Sequence, residues 1–214
     1  MKTLFIEAKK KNFEEVGEIS VPYAKIGLFY TIQFKNLFDK IKLKLEKEGK
    51  KAVIGKGILQ DGQILGCNVE SALSIEKKVD CFLLISSGRW HALSLSLFTD
   101  KPVYIMSEGR TSLVSKEEID SLKKRRKGAI SKFLLSDKIG IIASTKPGQN
   151  KLKEALIIKK ELEKKGKKAF LFISETINLK ELENFKIDSW INTACPGLIF
   201  DFPGMINLSE YKQL

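Results

Sequence analysis

The sequence predicts an α/β protein made of two similar parallel-sheet domains related by internal duplication. Three matches in the same order carry this prediction. Lys25-Ile26-Gly27-Leu28-Phe29 reappears as Lys138-Ile139-Gly140-Ile141-Ile142, and Glu46-Lys47-Glu48-Gly49-Lys50-Lys51-Ala52 as Glu163-Lys164-Lys165-Gly166-Lys167-Lys168-Ala169. Val79-Asp80 matches Ile187-Asp188, and each pair precedes an apolar run. Ordered self-similarity of this kind marks a repeated structural unit. The second observation is that strands apolar throughout alternate with helix-spaced segments, the pattern of parallel sheets covered on both faces.

The elements follow in order. The first 23 residues fit neither unit and hold one strand candidate, Thr3 to Ile6, before a polar connection. The first unit, residues 24–136, opens with a short apolar strand at 25–30. Leu37, Phe38, Ile41 and Leu45 then recur at helical spacing over 35–48. Gly49 ends that helix, since glycine accepts the left-handed conformation of a C-cap. A strand at 51–54, a loop through Gly66 and Cys67, a helix over 69–78 and a strand at 81–85 come next. A helix near 92–98 and a strand at 103–106 complete the unit. The charged segment 116–127 reads as the approach to a boundary near Asp137. The second unit, residues 137–214, repeats the pattern with strands at 138–143, 168–173 and 189–192 and helices at 150–165 and 178–184.

Composition bounds the function. Of 214 residues, 38 are Lys or Arg and 26 are Asp or Glu, a net charge of +12. A basic surface can bind nucleic acid through counterion release. Here, however, lysine carries almost all the positive charge and alternates with glutamate along exposed helix faces, as over 42–50 and 151–168. That is a solvated surface rather than a dedicated nucleic-acid site. The patch Lys123-Lys124-Arg125-Arg126-Lys127 is the exception and suits an acidic or RNA-bound partner. No apolar run reaches membrane-spanning length, and the charged start does not read as a secretory signal. The expectation is a cytoplasmic protein.

In parallel α/β sheets, ligands bind beyond the carboxyl ends of the strands. That rule selects Thr31-Ile32-Gln33, Ser86 to His91, Ser144 to Gln149 and Asn192 to Pro196. Of the three cysteines, Cys67 and Cys195 lie in loops, whereas Cys81 opens a buried strand and reads as a core residue. The odd, widely spaced count argues against a disulfide framework. No CxxC pair supports an ordinary zinc site. On residue type alone, two loop cysteines are weak evidence for a metal, and His91, the sole histidine, suits a structural role as well as a functional one.

Five segments in order resemble the archaeal diphthamide-synthesis radical enzymes, the 2-(3-amino-3-carboxypropyl)histidine synthases. They are Gly62-Gln63-Ile64-Leu65-Gly66-Cys67-Asn68, Val79-Asp80 with Ser87-Gly88-Arg89-Trp90-His91, Lys101-Pro102-Val103-Tyr104, Ser144 to Gln149, and Asn192-Thr193-Ala194-Cys195-Pro196. The resemblance covers roughly residues 24 to 201 and implies three similar α/β domains around a central site. Each domain gives one cysteine to a 4Fe-4S cluster, whose fourth iron binds S-adenosylmethionine. By this resemblance Cys67 and Cys195 are the metal ligands of the second and third domains. Thr31, Gln33, Ser87, Gly88, His91 and Gln149 resemble positions lining the adenosylmethionine pocket.

The reaction implied transfers a 3-amino-3-carboxypropyl radical to a histidine of translation elongation factor two. Residues 1–23 then correspond to a remnant of a missing first domain and a linker. The third cluster cysteine must come from another chain, either a separate polypeptide carrying the first domain or a full-length homologue. The sequence departs from the family pattern at Gly197, where an arginine is expected, and at Asp201-Phe202, where an acidic pair is expected. The leading expectation is thus one piece of a split transferase. The alternative is a non-catalytic companion or scaffold subunit of a complete homologue. Quinolinate synthase, with three pseudo-symmetric domains, fits the motifs less well.

Overall fold

The computed structural model describes residues 4, 6–10, 18–57, 59–65 and 68–214, and the chain divides into two compact units, Met1–Asp120 and Ser121–Leu214. In the first unit the strands are β1 (Lys25–Tyr30), β2 (Lys51–Val53), β3 (Cys81–Ile85), β4 (Val103–Ser107) and β5 (Arg110–Leu113). They form one sheet in the order β2-β1-β3-β4-β5, parallel except for β5. In the second unit β6 (Lys138–Ser144), β7 (Lys168–Ser174), β8 (Ser189–Asn192) and β9 (Met205–Asn207) form an all-parallel sheet in the order β7-β6-β8-β9. The two sheets therefore share one strand order, with β5 as an addition to the first.

Both sheets are covered on both faces, as the apolar strands require. In the first, Ile26, Leu28, Leu83 and Ile85 pack with Leu37, Phe38, Ile41 and Leu45 of α1 (Lys35–Lys47). Phe29, Phe82 and Leu84 face the opposite way, against Ala72 of α2 (Glu70–Leu73) and Ala92 and Leu95 of α3 (Trp90–Ser96). In the second, Ile139, Ile141 and Ile191 meet Ala155, Ile158 and Leu162 of α5 (Leu152–Lys164) and Ala129 and Phe133 of α4 (Lys116–Leu135). Ile142, Trp190 and Met205 form the other face with Ile199 of α6 (Leu198–Asp201). Such two-sided burial produces continuous apolar runs instead of alternation.

Each repeated motif has a physical reason. Gly27 and Gly140 sit opposite Phe82 and Trp190 in register. A Cβ on Gly27 would lie 2.7 Å from the Phe82 ring, and one on Gly140 2.3 Å from the Trp190 ring. The glycines thus let an aromatic ring of the neighbouring strand lie against the backbone. Gly49 and Gly166 take φ of 74° and 79° after α1 and α5. The amides of Lys50 and Lys167 then close onto the carbonyls of Leu45 and Leu162, a Schellman-type ending. Asp80 and Asp188 each accept the backbone N–H that opens the first strand of their unit, from Lys25 at 3.0 Å and Lys138 at 2.8 Å.

Some elements differ from the sequence expectation. The helix expected over 69–78 is two short pieces, α2 and a 3-10 turn at Glu76–Lys78. Ile75 bonds back three residues to Ala72, and the Ser74 hydroxyl donates to the Ser71 carbonyl. The helix expected at 178–184 is a 3-10 segment, Leu179–Asn184. The charged segment 116–127 is the first part of the 20-residue α4. The short α6, β9 and α7 (Leu208–Tyr211) and the strand β5 were not anticipated. The strand candidate Thr3–Ile6 lies partly outside the described residues; Leu4 and Ile6 are described, exposed and in no strand. Among the described residues, no helix is long and apolar enough to cross a membrane.

Candidate functional site

The carboxyl ends of β1 and β3 place the first group of predicted residues. Thr31 leaves β1 buried, and its N–H donates to the Ile85 carbonyl at 3.0 Å, joining the two strand ends. Gln33 follows in a 3-10 turn and is exposed, with its carbonyl accepting the Lys10 amide at 3.0 Å. Gln33 and Ser87 share a cleft of about 400 Å³ with Ala8, Lys9, Lys10 and Phe34. The structure thus brings two of the expected residues into one cavity, together with two lysines from the segment before β1. Sequence reasoning missed Lys9 and Lys10 because that segment carries no periodicity.

The loop from Ser86 to His91 turns at Gly88, whose φ is +85°. The Ser86 hydroxyl donates to the Gly88 carbonyl at 3.0 Å, and the Ser86 amide to Met106 at 3.2 Å. Thr31, Gly88 and His91 belong to these strand ends but do not line the cleft. His91, in the first turn of α3, is half-buried, with its ring centroid 3.9 Å from that of Trp90. Its Nδ1 is buried without a hydrogen-bond partner. Burial lowers its pKa to about 4, so the ring is neutral at physiological pH.

The second unit places Gln149 at the end of the turn after β6. Its amide donates to the Lys146 carbonyl at 3.0 Å, and the Ser144 hydroxyl accepts the Lys146 amide at 3.1 Å. Cys195 lies beyond β8 as a half-buried free thiol. Its loop is tied down by a buried polar network. Asn192 Nδ2 donates to the Cys195 carbonyl at 2.8 Å and to Asn207 Oδ1 at 2.9 Å, while Asn192 Oδ1 accepts the Ala194 amide at 2.9 Å. The Thr193 hydroxyl donates to the Ile142 carbonyl at 2.8 Å, and Asn207 Nδ2 to the Pro196 carbonyl at 3.1 Å. The thiol is therefore presented by a fixed backbone.

Cys67 lies outside the described residues, but its flanks do not. The Asn68 amide donates to the Leu65 carbonyl at 2.8 Å, and Ile64 pairs with Tyr30 through an N–H bond of 2.9 Å. A second cleft, about 330 Å³, is lined by residues on both sides of that segment, including Gln63, Leu65, Asn68 and Ser71. Gln63 Oε1 and Ser71 Oγ are buried there without partners. Cys81 is fully buried, and burial, followed by the charge of Asp80, pushes its pKa to about 12. It stays a thiol and is a core residue. Arg126 turns inward: its Nε donates to Glu210 Oε1 at 2.8 Å and its Nη2 to the Met205 carbonyl at 2.7 Å. The basic patch on α4 therefore presents Lys123, Lys124, Arg125 and Lys127 only.

Two repeated parallel α/β units, with a structured cysteine loop at a strand end, define the class: tandem α/β proteins whose ligands meet the carboxyl ends of the strands. The family model for diphthamide synthesis proteins matches residues 2–213, and the chain belongs to that family. The 2-(3-amino-3-carboxypropyl)histidine synthase of Pyrococcus horikoshii is 34% identical over 199 residues, spanning 92% of this chain and 56% of the relative. The protein of the same name from Methanocaldococcus jannaschii is 30% identical over 202 residues, spanning 87% and 57%. The crystal structure of Dph2 from Pyrococcus horikoshii superposes with a TM-score of 0.76 at 30% identity, covering 89% of this chain and 57% of that one. A structure of the same protein with a 4Fe-4S cluster gives 0.75 at 31%, covering 89% and 56%. The chain thus spans a little over half the length of these relatives.

Proposed function

We propose that this chain supplies two of the three domains of a 2-(3-amino-3-carboxypropyl)histidine synthase and that a separate chain, or a full-length homologue, completes it. The observation that carries the reading is the Cys195 loop, where a free thiol at a strand end is held by the Asn192–Asn207 network. Donors of that kind suit an iron–sulfur cluster, which is bound through thiolates. Among the described residues, which leave out Cys67, no group of three or more His, Cys, Asp or Glu could hold a metal ion. In this reading Cys67 and Cys195 are two ligands of a 4Fe-4S cluster, and the third cysteine comes from the completing chain.

With such a cluster held by Cys67, Cys195 and a cysteine of the completing chain, the chemistry it would supply is reductive cleavage of the S–C(γ) bond of S-adenosylmethionine. The chain's own residues bind and orient. Gln33 and Ser87 offer polar groups to the cleft at the first unit's strand ends, and Lys9 and Lys10 give it positive charge. Thr31, Gly88 and His91 hold the turns at those strand ends, with His91 neutral and packed on Trp90, and in the second unit Gln149 closes the turn after β6. The acceptor of the 3-amino-3-carboxypropyl group is a histidine of translation elongation factor two, in the cytoplasm.

The test is anaerobic reconstitution with iron and sulfide, with and without a full-length homologue or a first-domain chain. Visible iron–sulfur absorption should develop in the mixture and be weak or absent in the isolated chain. A colourless, iron-free mixture would overturn the reading.

A further inference from the structure

We infer that Arg89 is a positioning residue that fixes the Ser86–His91 loop from outside the cleft. Its guanidinium makes four hydrogen bonds to parts of the first unit remote in sequence. Nε and Nη2 donate to the Glu118 carboxylate at 3.0 and 2.8 Å, Nη1 donates to the Ser112 hydroxyl at 3.1 Å, and Nη2 also reaches the Leu113 carbonyl at 3.3 Å. This is a bidentate fork with two added anchors on β5, a geometry that guanidinium forms and an ammonium does not.

Glu118 is itself fixed. Its carboxylate accepts the Ser115 amide at 2.9 Å, and its own amide donates to the Ser115 hydroxyl at 3.2 Å. This reciprocal pair is a capping box at the start of α4. It holds the Glu118 pKa below the usual carboxylate range, first through the Ser115 amide and then through Arg89. The clasp therefore ties the loop to a capped helix end and to a strand.

Global stability does not explain this concentration of bonds. The Arg89 and Glu118 side chains are 40% and 37% exposed, and exposed ion pairs add little to folding. Local order does explain it. The loop bends through Gly88 in the left-handed region, and nothing lies within 4 Å of where a Cβ there would sit. One residue further on, Arg89 supplies the anchor that packing does not. The residues it places are Ser87, at the cleft, and His91, packed on Trp90. That these residues serve a ligand rests on the proposed function; the clasp does not.

His91 is the chain's only histidine, so the titrating Hε1 resonance of the intact 214-residue protein is assigned without ambiguity. Its wild-type midpoint should lie near 4. Arg89→Ala should let the loop open and water reach the ring, moving the midpoint up by about one unit or more, a tenfold larger protonated to neutral ratio at a given pH. Arg89→Lys should not restore the wild-type value. Glu118→Gln, which keeps the capping box and weakens the fork, should move it part of the way. Leu162→Ala, in the second unit's core, should lower the melting temperature and leave His91 unmoved. A wild-type midpoint in a folded Arg89→Ala protein overturns the inference; should that variant not fold, an unmoved midpoint in Glu118→Gln does so. A shifted His91 signal in a chain whose completed complex binds no adenosylmethionine supports the clasp and counts only against the functional reading.

Discussion

Asn192 holds the Cys195 loop with one side chain: its amide donates to the Cys195 carbonyl and to Asn207, and its oxygen accepts from Ala194. The residue is 2% exposed, so removing the amide leaves buried groups that water cannot reach. Asn192→Ala should cost about 1–3 kcal/mol of stability in denaturant unfolding. It should also speed the reaction of the Cys195 thiol with a disulfide reagent, because the loop loses its tie; unchanged thiol kinetics would show that Asn192 does not control the loop. His91 adds a pH dependence. Its pKa is near 4 in the folded state against an ordinary 6.5, so between these two values the unfolded chain binds the proton and the folded chain does not. This contribution is full above pH 6.5 and is lost as pH falls toward 4, by about 1–3 kcal/mol after allowance for partial solvent screening. Comparing urea unfolding at pH 7 and pH 5 for wild type and His91→Gln checks it, since the variant should show the flatter dependence.

At the scale of elements, the two units apply one rule with different tolerances. The ring against Gly140 is the larger and closer, Trp190 at 2.3 Å from a built Cβ compared with Phe82 at 2.7 Å for Gly27. Both rings are buried and cannot move aside freely, and overpacking of this kind typically costs about 1–3 kcal/mol. Gly140→Ala should therefore destabilise more than Gly27→Ala, and the reverse order in denaturant midpoints would show that the ring contact is not the reason for the glycines. The α4 helix is tied to β9 and α7 by Arg126, whose guanidinium meets Glu210 and the carbonyl of Met205. The arginine is 5% exposed. Arg126→Ala leaves a partly buried carboxylate and a backbone acceptor without their partner and should cost about 3–5 kcal/mol, the range for breaking one side of a buried pair. A loss below about 1 kcal/mol, the range of surface pairs, would mean that the pair is solvated.

At the scale of the whole molecule, the doubled architecture was legible because duplication wrote the same constraints twice: a ring against a glycine, a glycine ending a helix, an aspartate on a strand's first amide. What escaped lacks those signatures. β5 is a polar edge strand, Arg-Thr-Ser-Leu, announced only by Glu108-Gly109, whose φ values of 50° and 73° make a tight two-residue hairpin turn. The opening of α4 hides in a charged run, although Ser115 and Glu118 carry the spacing of a capping box. The cleft lysines and the Arg89 clasp are tertiary facts that no local period encodes. Both the strand-end rule and the family resemblance pointed to Cys195, and the network that fixes its loop became visible only when β8 and β9 lay side by side. The same logic separates the two functional readings. If the chain bears part of a cluster, Cys67→Ala or Cys195→Ala removes a ligand, a larger injury than the ~10–100-fold loss typical of disturbing a ligand's support. Each variant, mixed with a completing chain, should then lose more than about a hundredfold of its transferase-supporting activity, while Cys81→Ala should keep that activity and lose only stability. A scaffold needs neither loop thiol, so retention of activity by the Cys67→Ala, Cys195→Ala double variant would assign this chain the companion role.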